Sequence, residues 1–136
     1  MIKYKKGYKY QLAKFYRHQV RIYAYDIETE YISLKKTGML IIKNGYAWDG
    51  PSGLTIDTKS SMRGSLVHDA LYELLRKSYL PVGFGYRTVA DMLLWEICVE
   101  DGMWKWRADI WLAAVQNFAG FAASKDSLKP ILEAGK

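Results

Sequence analysis

The chain has 136 residues, half of them apolar, and a formal net charge of +6 from 20 basic and 14 acidic residues. That length suits one domain with a real core, and the composition excludes a disordered chain. The single cysteine, Cys98, excludes an internal disulfide, and no apolar run reaches the ~20 residues that cross a bilayer. We therefore expect one soluble domain with no membrane partner, and a cytoplasmic location as the default.

The basic residues crowd the first part of the chain, from Lys3 to Lys43. Such a cluster occurs on nucleic-acid-binding surfaces, but charged side chains also protect the edges of sheets from pairing with other chains. No nucleic-acid-binding motif accompanies the cluster. We favour edge protection and do not expect nucleic acid as a partner.

The first 50 residues predict strands. Apolar and polar residues alternate in 8–12 and 20–25, and two short apolar runs follow at 31–34 and 39–42. Gly38 suits a positive φ in a hairpin loop at 35–38. Asn44-Gly45 predicts a tight turn that pairs Met39–Lys43 with Tyr46–Trp48.

The rest of the chain predicts three helices, at about 62–77, 87–101 and 105–119. Ser60 or Ser61 is the expected cap of the first helix, and Gly102 and Gly120 are the expected stops of the others. The second helix is apolar on nearly every side, which is typical of a central, buried helix. We predict an α+β fold: N-terminal antiparallel β-hairpins or a small sheet packed on a C-terminal three-helix unit, in a single domain of residues 1–123. Residues 124–136 are expected to form a loose polar tail or a short extra helix.

Several polar side chains fall where apolar ones are expected. At 100° per residue, Arg63 lies in the middle of the apolar stripe of the first helix, and Asp91 shares a stripe with Leu94 and Cys98 on the second. A buried charge requires a partner. Asp49 and Asp57, in the loop before the first helix, could supply one for Arg63.

The same helix carries His68 at the margin of the stripe. Asp69, Tyr72, Ser65 and Arg76 are expected on the side away from it. One interpretation is a structural network of Asp, His and Arg that holds the sheet to the helices. Another is a catalytic site in which His68, Asp69 and Asp91 bind one divalent metal that activates water for hydrolysis. A third is a metal-free pocket in which Arg63 or Arg87 holds an anion. The first is favoured slightly, and the identity of any cofactor stays open.

Three stretches carry a resemblance to a known family: Tyr46-Ala47-Trp48-Asp49-Gly50-Pro51-Ser52-Gly53, Asp57-Thr58-Lys59-Ser60, and Leu66-Val67-His68-Asp69-Ala70-Leu71-Tyr72. With Arg87 and Ala90-Asp91, these resemble a domain-of-unknown-function family of the DUF1353 type, common in tailed bacteriophages and prophages. The resemblance covers roughly residues 8–122. It implies a phage or prophage origin and no particular mechanism. It also implies that the characteristic polar positions are Trp48, Asp49, Asp57, His68, Asp69, Arg87 and Asp91.

Two hypotheses about function follow. In the first, the chain is a small phage-encoded enzyme or ligand-binding protein. Its site lies between the 49–61 loop and the first two helices, with His68 and Asp69 as general base or ligands and Asp91 orienting them. Arg87 or Arg63 holds an anion there, and the other expected ligand-binding residues are Trp48, Asp49 and Asp57. In the second, it is a virion, assembly or host-interaction protein whose polar cluster is structural. Its partner is then a phage structural protein or a host protein. The expected location is the host cytoplasm or the virion.

Overall fold

The computed structural model describes residues 2, 4–5, 10–48 and 59–122. Within these ranges strands precede helices, so the fold is α+β, as predicted. The strands are β1 (Tyr4–Lys5), β2 (Tyr10–Leu12), β3 (Tyr16–Gln19), β4 (Ile27–Glu28), β5 (Ile32–Leu34), β6 (Met39–Ile42) and β7 (Ala47–Trp48). The helices are α1 (Lys59–Arg76), α2 (Tyr86–Glu100) and α3 (Lys105–Ala122).

The described strands form two antiparallel sheets rather than one. The first has the order β1-β2-β7, and the second has the order β3-β6-β5-β4. The 35–38 loop joins β5 to β6 as predicted, with Gly38 at φ +87°. A Cβ at this position would lie 2.6 Å from both the side-chain nitrogen of Gln19 and the carbonyl oxygen of Val20, so the turn requires glycine for its space as well as its φ.

The predicted pairing across Asn44-Gly45 is wrong. Gly45 does take a positive φ of 94°, and the Tyr46 N–H bonds to the Lys43 carbonyl at 3.2 Å, so the chain turns here. The strand after the turn joins the other sheet, however, with Tyr10 opposite Trp48. The Gly45 N–H donates to the Leu12 carbonyl at 2.7 Å, which directs β7 toward β2 and away from β6. As a result Trp48 is carried toward the helices.

The predicted strand at 20–25 is also wrong, although Val20 and Ile22 are buried as the alternation indicates. Strand β6 begins at Met39, which already pairs with Gln19, so the residues that follow Gln19 have no strand beside them. They run along the 35–38 loop instead. Ala24 then takes a positive φ of 71°, which ends the extended backbone.

The three helices lie close to their predicted positions, with two differences at their ends. Ser60 and Ser61 are inside the first turn of α1 rather than capping it, because the helix begins at Lys59. Helix α3 continues through Gly120 to Ala122. Gly102 follows the end of α2 at φ +101°, as predicted for a helix stop. The predicted tail at 124–136 lies outside the described residues.

Helix α2 packs between α1 and α3, as its apolar surface predicted. Helices α1 and α2 run antiparallel, since Gly64 near the start of α1 meets Leu94 and Cys98 in the second half of α2. A Cβ on Gly64 would lie 2.8 Å from the Cys98 sulfur, so the helices approach closely at this point. Among the residues described, none of the helices is long and apolar enough to cross a membrane.

Candidate functional site

His68, Tyr72 and Asp91 form a buried hydrogen-bonded group between α1 and α2. Because residues four apart lie on one face of a helix, His68 and Tyr72 both face α2, with ring centroids 4.1 Å apart. His68 Nε2 lies 2.8 Å from Asp91 Oδ1, and the Tyr72 hydroxyl donates to the same oxygen at 2.5 Å. Asp91 is 1% exposed and His68 is 6% exposed. The geometry therefore joins two of the three predicted catalytic residues directly.

The carboxylate determines how the imidazole is oriented. An ionised carboxylate can only accept hydrogen bonds, so Nε2 of His68 carries the proton that it donates to Asp91. The other ring nitrogen, Nδ1, faces Asp69, whose Oδ1 lies 3.8 Å away. The Asp69 side chain is more exposed than those of His68 and Asp91, so Nδ1 faces the more exposed of the two carboxylates.

Burial lowers the pKa of His68, but the carboxylates of Asp69 and Asp91 outweigh it and leave that pKa raised above 6.5. Because its pKa is raised, His68 keeps its second proton to a higher pH than a free imidazole does. The pKa of Tyr72 is strongly raised, first by burial and then by its bond to Asp91, so its hydroxyl stays protonated and remains a donor.

Tyr72 and Ser65 correct the sequence prediction, which placed both on the polar side of α1. Both are buried. Tyr72 faces α2, whereas Ser65 accepts a 3.1 Å hydrogen bond from the indole N–H of Trp48 and donates to the Met62 carbonyl at 2.9 Å. Helix α1 is thus covered by β7 as well as by α2. A single apolar stripe could not reveal the second covered side, since the residue that bonds to Trp48 there is a serine.

Trp48 was included among the predicted site residues on the resemblance alone. It is buried, and its ring packs on Tyr10 with centroids 5.7 Å apart. Its bond to Ser65 ties the first sheet to α1 one helical turn before His68. Trp48 therefore supports the helix that carries His68, and its indole N–H is already bonded.

Arg63 belongs to a separate cluster. The sequence predicted a partner in Asp49 or Asp57, but the guanidinium binds Asp101 in a two-pronged contact, with Nε to Oδ2 at 2.9 Å and Nη2 to Oδ1 at 2.8 Å. It also bonds to Glu100, and it donates to the Tyr16 hydroxyl at 2.7 Å. These bonds outweigh burial and raise the pKa of Arg63, with Asp101 the largest cause.

This Arg63 cluster lies at the opposite end of α2 from Asp91, ten residues away and therefore about 15 Å along the helix axis. The prediction that Arg63 needs a partner is confirmed, but Arg63 does not lie beside His68. Each of the three guanidinium nitrogens of Arg63 already donates to another residue, so the group is not available to bind an incoming anion. The Tyr16 hydroxyl lies 2.9 Å from His18 Nδ1, so the chain's other histidine belongs to this cluster as well.

The remaining predicted residues fall into two groups. Arg87 is exposed on the first turn of α2, one turn before Asp91, and its charge acts on the Tyr72 hydroxyl. Asp49 and Asp57 lie outside the described residues. Of the eight predicted positions, His68, Asp69 and Asp91 come together, Arg87 is near them, Trp48 supports them, and Arg63 is elsewhere.

In the part of the chain that is described, no group of three or more His, Cys, Asp or Glu side chains could hold a metal ion. Only two of the residues, His68 through Nδ1 and Asp69, remain as possible metal ligands, because Asp91 accepts hydrogen bonds from Nε2 of His68 and from Tyr72. The predicted three-ligand set of His68, Asp69 and Asp91 is thus not a metal site on its described geometry. A histidine whose other nitrogen bonds to a carboxylate nevertheless has the arrangement common among metal-binding histidines.

No protein-family model, no curated protein and no solved structure matches the chain. The likeness to a phage family, carried by the motifs around Trp48 and His68, therefore stays a prediction.

Proposed function

We propose that this chain is a small phage-encoded hydrolase in which His68 transfers the proton. The observation that carries the proposal is the buried Asp91 carboxylate, which fixes His68 through Nε2 and leaves Nδ1 toward Asp69, the more exposed of the two acids. An imidazole oriented by a carboxylate on one nitrogen can use the other nitrogen for general acid–base catalysis. The phage origin rests on the family motif, and the location that follows is the host cytoplasm or the virion.

Each residue of the group has a separate role in this proposal. Nδ1 of His68 takes a proton from a water molecule as that water attacks an ester or phosphoester, and returns it to the leaving oxygen. Asp91 orients the ring and stabilises the imidazolium that forms in between. Tyr72 holds Asp91 in place by donating to the same oxygen, Oδ1. Asp69 lies close enough to Nδ1 to hold the attacking water.

An anionic substrate is favoured because of Arg87. It is exposed, it precedes Asp91 by one helical turn, and its charge acts on the Tyr72 hydroxyl. Arginine binds phosphate and carboxylate groups with paired hydrogen bonds. Arg63 cannot take this role, since Asp101, Glu100 and Tyr16 already occupy its guanidinium.

A second candidate is a virion, assembly or host-interaction protein in which the buried group only holds α1 to α2. One observation favours it: Trp104 and Trp106 are largely exposed at the start of α3. Large exposed aromatic side chains are typical of surfaces that bind other proteins. In this case a phage structural protein or a host protein would be the partner, and His68 would contribute to stability alone.

Hydrolysis of chromogenic esters separates the two candidates. The purified protein is assayed with p-nitrophenyl acetate, p-nitrophenyl phosphate and bis(p-nitrophenyl) phosphate, each with and without added Mg²⁺, Mn²⁺ or Zn²⁺. We expect turnover of at least one ester, and a loss of about 10²-fold or more in His68→Gln. His18→Gln is the matched control, because His18 is the chain's only other histidine. Equal rates in the two variants, or no turnover by the wild type, would contradict the hydrolase.

A further inference from the structure

The outer face of α3 is an apolar surface that no described element covers. Trp104 is 70% exposed, Trp106 is 59% exposed and Ile110 is 52% exposed. The two indole rings lie 6.0 Å apart, so they form one continuous patch. We call Trp104, Trp106 and Ile110 the α3 patch.

The α3 patch is large for three side chains. At the sizes typical of tryptophan and isoleucine, it exposes about 400 Å², which is the range of the largest apolar patches on monomeric proteins. A stable interface buries about 800 Å² on each partner. The patch would supply roughly half of that area, and the exposed remainder of the helix, from Lys105 to Asn117, can supply the rest.

The opposite side of α3 is buried against α2. Ala108 and Trp111 are buried with Leu94, Cys98 and Met103 in a small core between α2 and α3. The indole N–H of Trp111 is buried there without a hydrogen-bond partner among the described residues. Helix α3 therefore packs on α2 through its inner side, and its patch faces outward.

The outer face carries large and small residues in an order that complements itself. Trp106, Ile110 and Ala113 are all exposed and follow one another at helical spacing, with Ala114 half-buried beside Ala113. Ile110 lies near the midpoint between the tryptophan and the alanines. If two copies of this helix pack antiparallel about a two-fold axis at Ile110, the Trp106 of each copy lies over the alanines of the other. Small residues opposite large ones allow close helix packing.

We propose that the α3 patch binds a second copy of this chain, forming a two-fold symmetric dimer through antiparallel α3 helices. A two-fold interface requires one surface that complements itself, and this face has that property. The proposal does not depend on the chemistry of His68, which lies between α1 and α2. A different protein, or no partner at all, would leave the isolated chain monomeric.

Sedimentation velocity over a range of concentrations tests the dimer. We expect wild type to dimerise and Ile110→Glu to be monomeric, because the substitution places two like charges together at the axis and weakens association by about 10²-fold or more. Phe84→Glu is the matched control: Phe84 is 70% exposed, but it lies in the loop between α1 and α2, at the far end of the helix pair from Trp104. It should leave the dimer intact. Circular dichroism checks that both variants fold.

Disulfide crosslinking tests the position of the axis. An Ile110→Cys variant should form a covalent dimer under mild oxidation, whereas Phe84→Cys should not. The native thiol will not interfere, because burial raises the pKa of Cys98 to about 12. A wild-type monomer at ~100 µM, dimers that persist in Ile110→Glu, or equal crosslinking at both positions would each overturn the proposal.

Discussion

Replacing Asp91 with alanine should destabilise the fold far more than replacing any surface acid on the same helix. Asp91 is 1% exposed and accepts hydrogen bonds from His68 and Tyr72. In Asp91→Ala, both donors remain buried and lose their acceptor. Breaking a buried polar pair by removing one partner costs about 3–5 kcal/mol in comparable proteins. We expect a loss in that range in the free energy of unfolding.

Glu96 provides the matched control. It lies on the same helix, and its carboxylate binds Arg21 at 3.0 Å, but both side chains are substantially exposed. Exposed ion pairs contribute about 0–1 kcal/mol, so Glu96→Ala should lower the unfolding free energy by less than about 1 kcal/mol. Urea denaturation followed by circular dichroism gives both values under one set of conditions.

If Asp91→Ala is no more destabilising than Glu96→Ala, the His68–Asp91–Tyr72 group does not hold α1 to α2. A Tyr72→Phe variant separates the two bonds, since it removes only the hydroxyl. It should cost about 1.5–3 kcal/mol, which is the usual value of one hydrogen bond to a charged group.

Three further outcomes are expected. Arg63→Ala should lower the unfolding free energy by about 2 kcal/mol, less than the loss of a fully buried pair, because Glu100 and Asp101 keep some access to solvent. The control Arg21→Ala removes an exposed ion pair and should cost below about 1 kcal/mol. Equal values in urea denaturation would contradict a stabilising role for the Arg63 cluster. Gly64→Ala should destabilise the fold by about 1–2 kcal/mol, since its Cβ would lie 2.8 Å from the Cys98 sulfur. Adding Cys98→Ala should restore part of the lost stability. A higher melting temperature in Gly64→Ala than in the wild type would refute the close approach of the two helices. Because His68 and Asp69 have no third ligand among the described residues, metal analysis of the protein incubated with Mn²⁺ or Zn²⁺ should show equal metal content in the wild type and in His68→Ala. Metal bound by the wild type alone would contradict this.

Local sequence patterns predicted the helices and failed at contacts between distant parts of the chain. The apolar spacing of α1 and α2 located both helices to within three residues at each end. The turn glycines, Gly38 and Gly45, were also predicted with the correct sign of φ. The partner of β7 was not predictable in the same way, because an Asn-Gly pair indicates a turn but not which sheet the next strand enters.

The candidate site was also predicted where it depends on local helix geometry and missed where it depends on contacts between distant residues. His68 and Asp91 were predicted from helix geometry, as polar residues on or beside faces that ought to be apolar. Tyr72 was missed as their partner, although it lies four residues after His68 and thus on the same face. The partners of Arg63 were missed because Glu100 and Asp101 lie at the far end of α2. Only the antiparallel packing set by Gly64 brings that end beside the start of α1.

The protonation of the His68 ring shows whether Asp91 holds it for proton transfer. Nitrogen-15 NMR of the imidazole rings, followed against pH, reports both the pKa and which nitrogen keeps its proton; His18→Gln identifies the His68 signals. The account predicts a pKa above 6.5 for His68 and, at higher pH, a neutral ring protonated on Nε2 with a free Nδ1. Asp91→Asn should lower that pKa. A neutral ring protonated on Nδ1, or a pKa unchanged by Asp91→Asn, would contradict a site in which Asp91 holds His68 for proton transfer.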